Sequence, residues 1–268
     1  MIRAETLGEI TFIRMARVVL GRPLFWTGAY LVDGLLLDCG PPATARELVR
    51  FLEGRSLDGL VLTHHHEDHV GAAPLLAAVR GVAPRVHASG IPLLADGFVQ
   101  ELYRRVVWGR APRFTAEALG GEVATRSLRF QVIPTPGHSI DHVCLFEESR
   151  GWLFTGDLFL AERVRYLRSD EELGELIDSL QAVARLPARE VFCAHRGPVR
   201  GGVAALARKA EHLRALRGRV LDLLGQGLPE PEIARRAIGP EGPMTWLSRG
   251  GFSVRNFVRS IARNRRPV

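Results

Sequence analysis

The chain has 268 residues, and its composition (46% hydrophobic, 24% charged) is that of a globular protein and excludes a disordered one. Its 36 basic and 29 acidic residues give a formal net charge of +7, and Lys209 is its one lysine. Residues 1–200 carry 23 basic and 24 acidic side chains, whereas residues 201–268 carry 13 and 5. This uneven charge predicts two domains, a nearly neutral one over residues 1–200 and a basic one over residues 201–268.

Cysteine usage and hydropathy predict a cytoplasmic protein. Cys39, Cys144 and Cys193 are odd in number, lie far apart and form no C-x-x-C pair, which is typical of a reducing compartment. No apolar run reaches the roughly 18 residues of a membrane span, so we expect no membrane partner. The first residues, Met1 to Glu5, lack the apolar stretch of a signal peptide.

The first third of the chain alternates between strand and helix patterns. Strands are predicted at Ile10–Ile13, Ala29–Val32, Leu35–Asp38, Gly59–Thr63 and Pro84–Ala88. Asp33-Gly34 is a hairpin signal between two of them. Helices are predicted at Ala43–Leu52 and Gly71–Val79.

Residues 91–125 interrupt this rhythm with a predicted helix at Val99–Val107 and a cluster of aromatic and basic side chains. The cluster contains Tyr103, Arg104, Arg105, Trp108, Arg110 and Arg113. Two interpretations remain open: an ordinary connecting helix, or an insertion that shields a substrate site and offers arginines to anions.

Strand patterns resume after residue 125. They fall at Leu128–Ile133, Val143–Phe146, Gly151–Phe154 and Val191–Cys193, with a helix predicted at Asp170–Ala184. Helices that alternate around paired strands predict an α/β sandwich with the helices outside.

Clusters of histidine and aspartate come directly after predicted strands, where ligand sites form at one edge of a sheet. Their members are His64, His66, Asp68 and His69 in one loop, then His138, Asp157 and His195. Neutral imidazoles and carboxylates suit zinc, iron or manganese, and the absence of a cysteine-rich pattern argues against a structural thiolate site. Seven such groups exceed the needs of one tetrahedral ion, so we predict two divalent metal ions.

Residues 63–71, with the sequence THHHEDHVG, resemble the signature loop of the metallo-β-lactamase superfamily. The likeness continues in order through Asp38-Cys39-Gly40, Gly137-His138-Ser139, Thr155-Gly156-Asp157 and Ala194-His195, and covers about residues 10–200. The resemblance implies an αββα sandwich with a dinuclear site, usually of zinc.

By that resemblance His64, His66 and His138 hold one metal ion. Asp68, His69 and His195 hold the other, and Asp157 bridges the two. Asp38 is expected to orient a ligating imidazole, and His142 to hydrogen-bond the site or a substrate. His65 alternates away from its neighbours, which predicts a position outside the ligand set.

The expected chemistry is metal-assisted hydrolysis, in which a metal-bridging hydroxide attacks a carbonyl carbon or a phosphorus and Asp68 orients it and shuttles its proton. The leading hypothesis is an ester-like bond (thioester, ester or lactone) of a small anionic metabolite, as in the similar hydroxyacylglutathione hydrolase (glyoxalase II) branch. His66 stands where the di-iron oxygen-reducing members carry a glutamate, which favours hydrolysis over redox chemistry.

The basic C-terminal region has three predicted helices, at Val203–Leu224, at Pro229–Ile238 and after Ser253. They resemble a small helix-turn-helix or winged-helix-like unit, and similar units occur in the lactamase-beta-like endoribonuclease branch of the superfamily.

In the last of these helices Arg255, Arg259 and Arg263 share one face, and Arg265 and Arg266 follow. The unit either caps the sandwich, with its arginines solvated or in contact with acidic substrates, or contacts nucleic-acid phosphates through these arginines. The alternative functions are therefore a nuclease for single-stranded RNA or DNA and a non-catalytic nucleic-acid-binding protein. The sequence leaves the oligomeric state open.

Overall fold

The computed structural model describes residues 1–263, so Arg265 and Arg266 lie outside the described residues. In chain order its strands are β1 (Ile2–Leu7), β2 (Ile10–Met15), β3 (Val18–Val19), β4 (Arg22–Pro23), β5 (Thr27–Val32), β6 (Leu35–Leu37), β7 (Gly59–Val61), β8 (Pro84–Val86), β9 (Glu117–Ala118), β10 (Glu122–Ala124), β11 (Arg129–Pro134), β12 (Val143–Glu147), β13 (Trp152–Phe154), β14 (Leu167–Arg168), β15 (Glu190–Cys193), β16 (Gly197–Pro198) and β17 (Phe252–Ser253). Its α-helices are α1 (Ala45–Phe51), α2 (Glu67–Val70), α3 (Ala73–Arg80), α4 (Ile91–Asp96), α5 (Leu102–Trp108), α6 (Leu173–Val183), α7 (Gly202–Gly225), α8 (Glu230–Ala237), α9 (Pro243–Leu247) and α10 (Arg255–Arg263).

Two mixed sheets form the centre of the molecule. The first has the strand order β1-β2-β5-β6-β7-β8-β9, antiparallel as far as β6 and parallel from β6 to β9. The second has the order β10-β11-β12-β13-β15-β16, in which β13 and β15 run parallel and the other neighbours antiparallel. The predicted hairpin at Asp33-Gly34 is confirmed, because both residues have positive φ and join β5 to β6.

The alternation of side chains along each strand buries both faces of both sheets. In β2, Phe12 lies in the core between the sheets, and Ile13 lies in the core shared with α1 and α3. In β12, Leu145 lies in the central core, and Phe146 lies in the core shared with α6, α7, α8 and α10. The order of layers is therefore helix, sheet, sheet, helix, and the predicted αββα sandwich is confirmed.

The predicted C-terminal helical unit is present and packs on the outer face of the second sheet. Apolar side chains of α7, α8 and α10 share one core with α6. The strand described between residues 201 and 263, β17, pairs with β14. The domain boundary at residue 200 stays a prediction.

Among residues 1–263, no helix combines the length and the apolar character needed to cross a membrane.

Candidate metal centre

The loops that follow β7, β11, β13 and β15 converge at one edge of the two sheets. Their side chains form two groups, within each of which one nitrogen or oxygen atom per residue lies within 4.8 Å of the others. The first group is His64, His66 and His138, and the second is Asp68, His69, Asp157 and His195. The structure thus brings together all seven side chains that the sequence singled out, and their role as ligands stays a prediction.

Asp157 lies where the two groups meet. Its Oδ2 is 3.2 Å from His195 Nε2 and 3.6 Å from His138 Nε2, while its Oδ1 is 3.5 Å from His69 Nε2. This carboxylate therefore reaches imidazoles of both groups, as a bridging position requires.

Several polar atoms of the site are buried without a hydrogen-bond partner among the described residues: Asp157 Oδ1 and the Nε2 atoms of His64, His66 and His69. Buried polar atoms are almost always satisfied in proteins, so such a cluster points to an absent partner. Imidazole nitrogens and carboxylate oxygens are ligands of zinc, iron and manganese. The residues present fit divalent metal ions, two of them by the number of groups.

Hydrogen bonds behind the imidazoles aim them at the site. Nδ1 of His138 lies 2.7 Å from Glu171 Oε1, Nδ1 of His195 donates to the carbonyl oxygen of Trp26 at 2.7 Å, and Nδ1 of His69 lies 2.8 Å from Asp38 Oδ2. Each bond leaves Nε2 facing the site. Sequence reasoning found Asp38 and missed the other two acceptors.

His142 and His65 lie beside the two groups. Nε2 of His142 accepts the main-chain N–H of Asp157 at 3.1 Å, and its Nδ1 lies 2.8 Å from Thr135 Oγ1. Burial lowers the pKa of His142 to about 3, which keeps the ring neutral and able to accept. Nδ1 of His65 lies 2.8 Å from Asp141 Oδ1, so His65 turns away from the ligand set.

The pKa values of several histidines in the site are shifted, and in both directions. Burial lowers the pKa of His64 and His66 well below the usual value. Burial also opposes a charge on His69 and His195, but the carboxylates of Asp68 and Asp157 outweigh it and raise the pKa of both imidazoles. A metal ion binding here would displace protons from those two rings.

The two cysteines next to site residues are not nucleophiles. Cys39 and Cys193 are buried and unpaired, and burial raises the pKa of both thiols. A neutral buried thiol is unreactive, which leaves the histidines and aspartates as the candidates for the chemistry of the site.

A pocket of about 190 Å³ opens over the site. Apart from the site residues themselves, it is lined by Phe25, Tyr103, Arg104, Val107, Trp108, Leu160, Arg168, Glu171, Met244, Leu247 and Phe252. Helix α5 forms one wall and is anchored by Arg104, whose guanidinium donates to both carboxylate oxygens of Glu67 at 2.7 and 2.6 Å. The interpretation of residues 91–125 as an insertion that shields the site is the one that this packing favours.

Arg168 brings a positive charge to the pocket that sequence reasoning did not identify. Two of its nitrogens donate to Asp170 at 3.0 and 2.7 Å, and the third, Nη1, lies 3.4 Å from His66 Nδ1. Its single signal in the sequence was the neighbouring acidic run at residues 170–172.

The three arginines predicted to contact anions lie on α10. Arg255 and Arg259 both form ion pairs with Glu230 of α8, and Arg263 is exposed. None of the three is among the described residues that line the pocket.

Comparison of the sequence and the structure with those of known proteins shows the family of the chain. The model of the metallo-beta-lactamase superfamily matches residues 29–195. The chain belongs to the metallo-beta-lactamase superfamily. Among its curated relatives, a hydroxyacylglutathione hydrolase of Legionella pneumophila (strain Paris) is 33% identical over 174 residues, which are 63% of this chain and 61% of the relative. The chain thus spans about three fifths of that relative's length.

Two further comparisons cover most of the chain. A lactamase-like protein, nscB, of Aspergillus fumigatus is 28% identical over 260 residues, which are 92% of this chain and 70% of the relative. A solved metallo-beta-lactamase family protein from Thermus thermophilus has a TM-score of 0.65 at 20% identity and covers 96% of this chain and 92% of its own. The structural match confirms the fold of this superfamily member.

Proposed function

We propose that the protein is a dinuclear metal-dependent hydrolase that cleaves an ester-like bond (thioester, ester or lactone) of a small anionic metabolite. The observation that carries the proposal is the pair of histidine and aspartate groups on the floor of a small pocket. The relatives named hydroxyacylglutathione hydrolase support it.

In this proposal His64, His66 and His138 would hold one ion, Asp68, His69 and His195 would hold the other, and Asp157 would be shared by the two. Divalent ions held in this way, which we take to be zinc, lower the pKa of a coordinated water and polarise the bond under attack. His142 fixes the main chain of Asp157 through its hydrogen bond.

Asp68 is the residue proposed to orient the attacking water and take up its proton. It lines the pocket, and its Oδ2 lies 3.3 Å from His195 Nε2 and 3.5 Å from His69 Nε2. Burial opposes its charge, but these imidazoles hold the pKa of Asp68 well below its usual range, so the carboxylate is ionised and can accept the hydrogen bond that orients the water.

Arg168 supports an anionic substrate. Asp170 occupies two of its nitrogens, and Nη1 faces the site beside His66. A guanidinium in this position can donate to a substrate carboxylate. Arg255 and Arg259, by contrast, form ion pairs with Glu230 and do not line the pocket. We therefore expect the substrate to be a small molecule and not a nucleic-acid polymer.

The test is a screen of zinc-, iron- and manganese-loaded protein against thioesters, esters, lactones, phosphodiesters and single-stranded RNA. We expect ester-like substrates to be cleaved, and both metal content and turnover to be lost in Asp157→Ala. Asp178→Ala, at an exposed site on α6, is the matched control. Undiminished turnover in Asp157→Ala, or a preference for RNA phosphodiesters, would overturn the proposal, and the latter would establish the nuclease.

A further inference from the structure

A second concavity of about 630 Å³ adjoins the pocket and has an apolar lining. Its apolar walls come from three segments: the loop after β4, helix α5 and helix α9. They consist of Leu24, Phe25, Leu102, Val106, Val107 and Leu247. We call this concavity the apolar groove.

Hydrophobic side chains in the apolar groove are exposed to an unusual degree. Phe25, Leu102, Val106 and Leu247 are 56%, 68%, 52% and 61% exposed. Single exposed hydrophobic side chains are common, but several from separate segments that line one concavity mark a binding surface. We therefore expect an apolar group to bind in the groove.

The groove is continuous with the pocket over the metal centre. Phe25, Tyr103, Val107 and Leu247 line both. The ring of Trp108 lies 6.3 Å from that of Phe25 and 6.2 Å from the imidazole of His195, so aromatic surface extends from the groove to the site. A molecule whose reactive bond lies at the histidines can extend directly into the groove.

Charged groups are few along this path. Among the described residues that line the groove, Glu101 and Arg249 carry charge, and the Glu101 carboxylate lies 3.5 Å from Arg104 Nη1. A substrate portion rich in carboxylates or amides would find few partners there besides the exposed Arg249, and would lose most of its hydration without compensation. A hydrocarbon chain loses no such interactions.

We infer that the apolar groove binds a hydrocarbon chain of the substrate, so that the substrate class is an ester or thioester with an extended aliphatic or aromatic portion. This inference rests on the proposed hydrolytic function. It adds that Leu102 and Val106, which lie in the groove and outside the pocket, determine specificity for that chain.

The first test measures kcat/KM of the zinc-loaded protein for thioesters with acyl chains from acetyl to decanoyl. A fully buried methylene is worth about fourfold, so burial of about two or more of the added methylenes should raise kcat/KM about tenfold or more across the series. A parallel series of alkyl esters, with the chain in the leaving group, shows which side of the bond occupies the groove.

Substitutions locate the effect. Val106→Gln, and separately Leu102→Gln, should each lower the ratio of decanoyl to acetyl kcat/KM by about fivefold, because an amide replaces an apolar contact. Val79→Gln is the matched control, since Val79 is 57% exposed on helix α3 and lies outside the groove. Two independent variants guard against a folding defect in one.

A binding readout keeps the inference separate from the proposed function. Titration calorimetry of the zinc-loaded protein should show decanoate binding about tenfold or more tightly than butanoate, with the difference reduced in Val106→Gln. If affinity rises with chain length but no ester is cleaved, the inference about the groove is supported and the proposed hydrolytic function is contradicted.

Equal affinity for the two acids would overturn the inference even for an active hydrolase. A dimer that Val106→Gln dissociates, with binding independent of chain length, would assign the groove to a second copy of the chain and overturn it as well.

Discussion

Asp38 shows how one carboxylate orients an imidazole of the candidate metal centre. Its backbone lies in the left-handed region at φ +60°, which aspartate tolerates better than most residues. Its buried carboxylate accepts the main-chain N–H of Thr63 at 2.7 Å, contacts the Thr63 hydroxyl, and lies 2.8 Å from His69 Nδ1. Backbone conformation and side-chain bonds together fix the ring of His69.

Asp38→Asn should weaken metal binding while leaving the volume of the side chain unchanged. The N–H of Thr63 still needs an acceptor, so the amide NH2 faces His69 and forces the imidazole proton onto Nε2, which faces the site. Loss of such an orienting carboxylate costs about 10- to 100-fold in metal affinity. Competition with a chromophoric chelator measures it, with Asp33→Asn on the hairpin as control. Equal affinities in the two variants would contradict this role.

The sequence predicted the candidate ligand residues better than the residues that hydrogen-bond and orient them. Metal coordination demands particular side chains, so His64, His138 and Asp157 were conspicuous after strands. An orienting bond needs an acceptor of any kind, and here a carboxylate of Glu171 and a main-chain oxygen of Trp26 supply it. A main-chain carbonyl has no sequence signature, and Glu171 is separated from His138 by 33 residues.

Among the secondary-structure elements, the longer helices were predicted within a few residues, as for α7 at Gly202–Gly225. The six-residue strand β1 was missed, because its largely exposed side chains show no sustained apolar alternation. The two-residue strands β3, β4, β9, β14, β16 and β17 were also missed, because two residues carry no periodicity and their pairing depends on contacts made elsewhere in the fold. The part of the pocket wall formed by α9 and β17 was missed for the same reason, since these elements reach the site only through tertiary packing.

The ion pairs between α8 and α10 bear on the function of the basic helix. Arg255→Gln/Arg259→Gln should lower the free energy of unfolding by about 1 kcal/mol or less, because the pairs with Glu230 are partly exposed. The salt dependence of single-stranded RNA affinity should stay unchanged, since these arginines are already paired. Urea unfolding and fluorescence anisotropy measure the two effects.

Arg214→Gln/Arg217→Gln on the exposed side of α7 is the matched control for the two arginines of α10. A salt slope that falls only in the Arg255→Gln/Arg259→Gln protein would instead support phosphate contacts by α10.

Helix α7 is tied to the loop that carries Asp157. Lys209 is buried, and its ammonium donates to the carbonyl oxygen of Leu158 at 2.7 Å. Burial lowers the pKa of Lys209 from 10.5 to about 8. The charged form is therefore less favoured in the folded chain than in the unfolded one.

The lowered pKa of Lys209 makes the free energy of unfolding depend on pH. Folding releases the proton of Lys209 between the two pKa values, so this residue contributes stability that increases as pH rises from about 8 towards 10.5 and is lost as pH falls through 8. We expect a gain of up to about 3 kcal/mol in the native protein that is missing in Lys209→Met. Urea unfolding at neutral pH and near pH 10 tests it, with Arg217→Met as control. Identical pH profiles for native protein and Lys209→Met would refute it.

In the whole molecule, the metal centre is assembled from both sheets. His64, His66, Asp68 and His69 follow β7 of the first sheet, while His138, Asp157 and His195 follow strands of the second. Each of the two groups draws members from both sheets. Metal binding by these groups would therefore join the halves of the sandwich, and its free energy would add to that of folding.

Metal affinity should rise with pH. Chelation should lower the unfolding temperature measured by differential scanning calorimetry, because an ion that binds the folded chain stabilises it. Asp68 and Asp157 raise the pKa of His69 and His195 above about 6.5, so both rings hold protons near neutrality and a bound ion must displace them. Affinity is then lost as pH falls through these raised values. Titration calorimetry of zinc into the chelated protein, in two buffers of different protonation enthalpy, should show net proton release. His212→Gln on α7 should behave as the native protein does, and binding without proton release would mean that the two rings are neutral before the metal arrives.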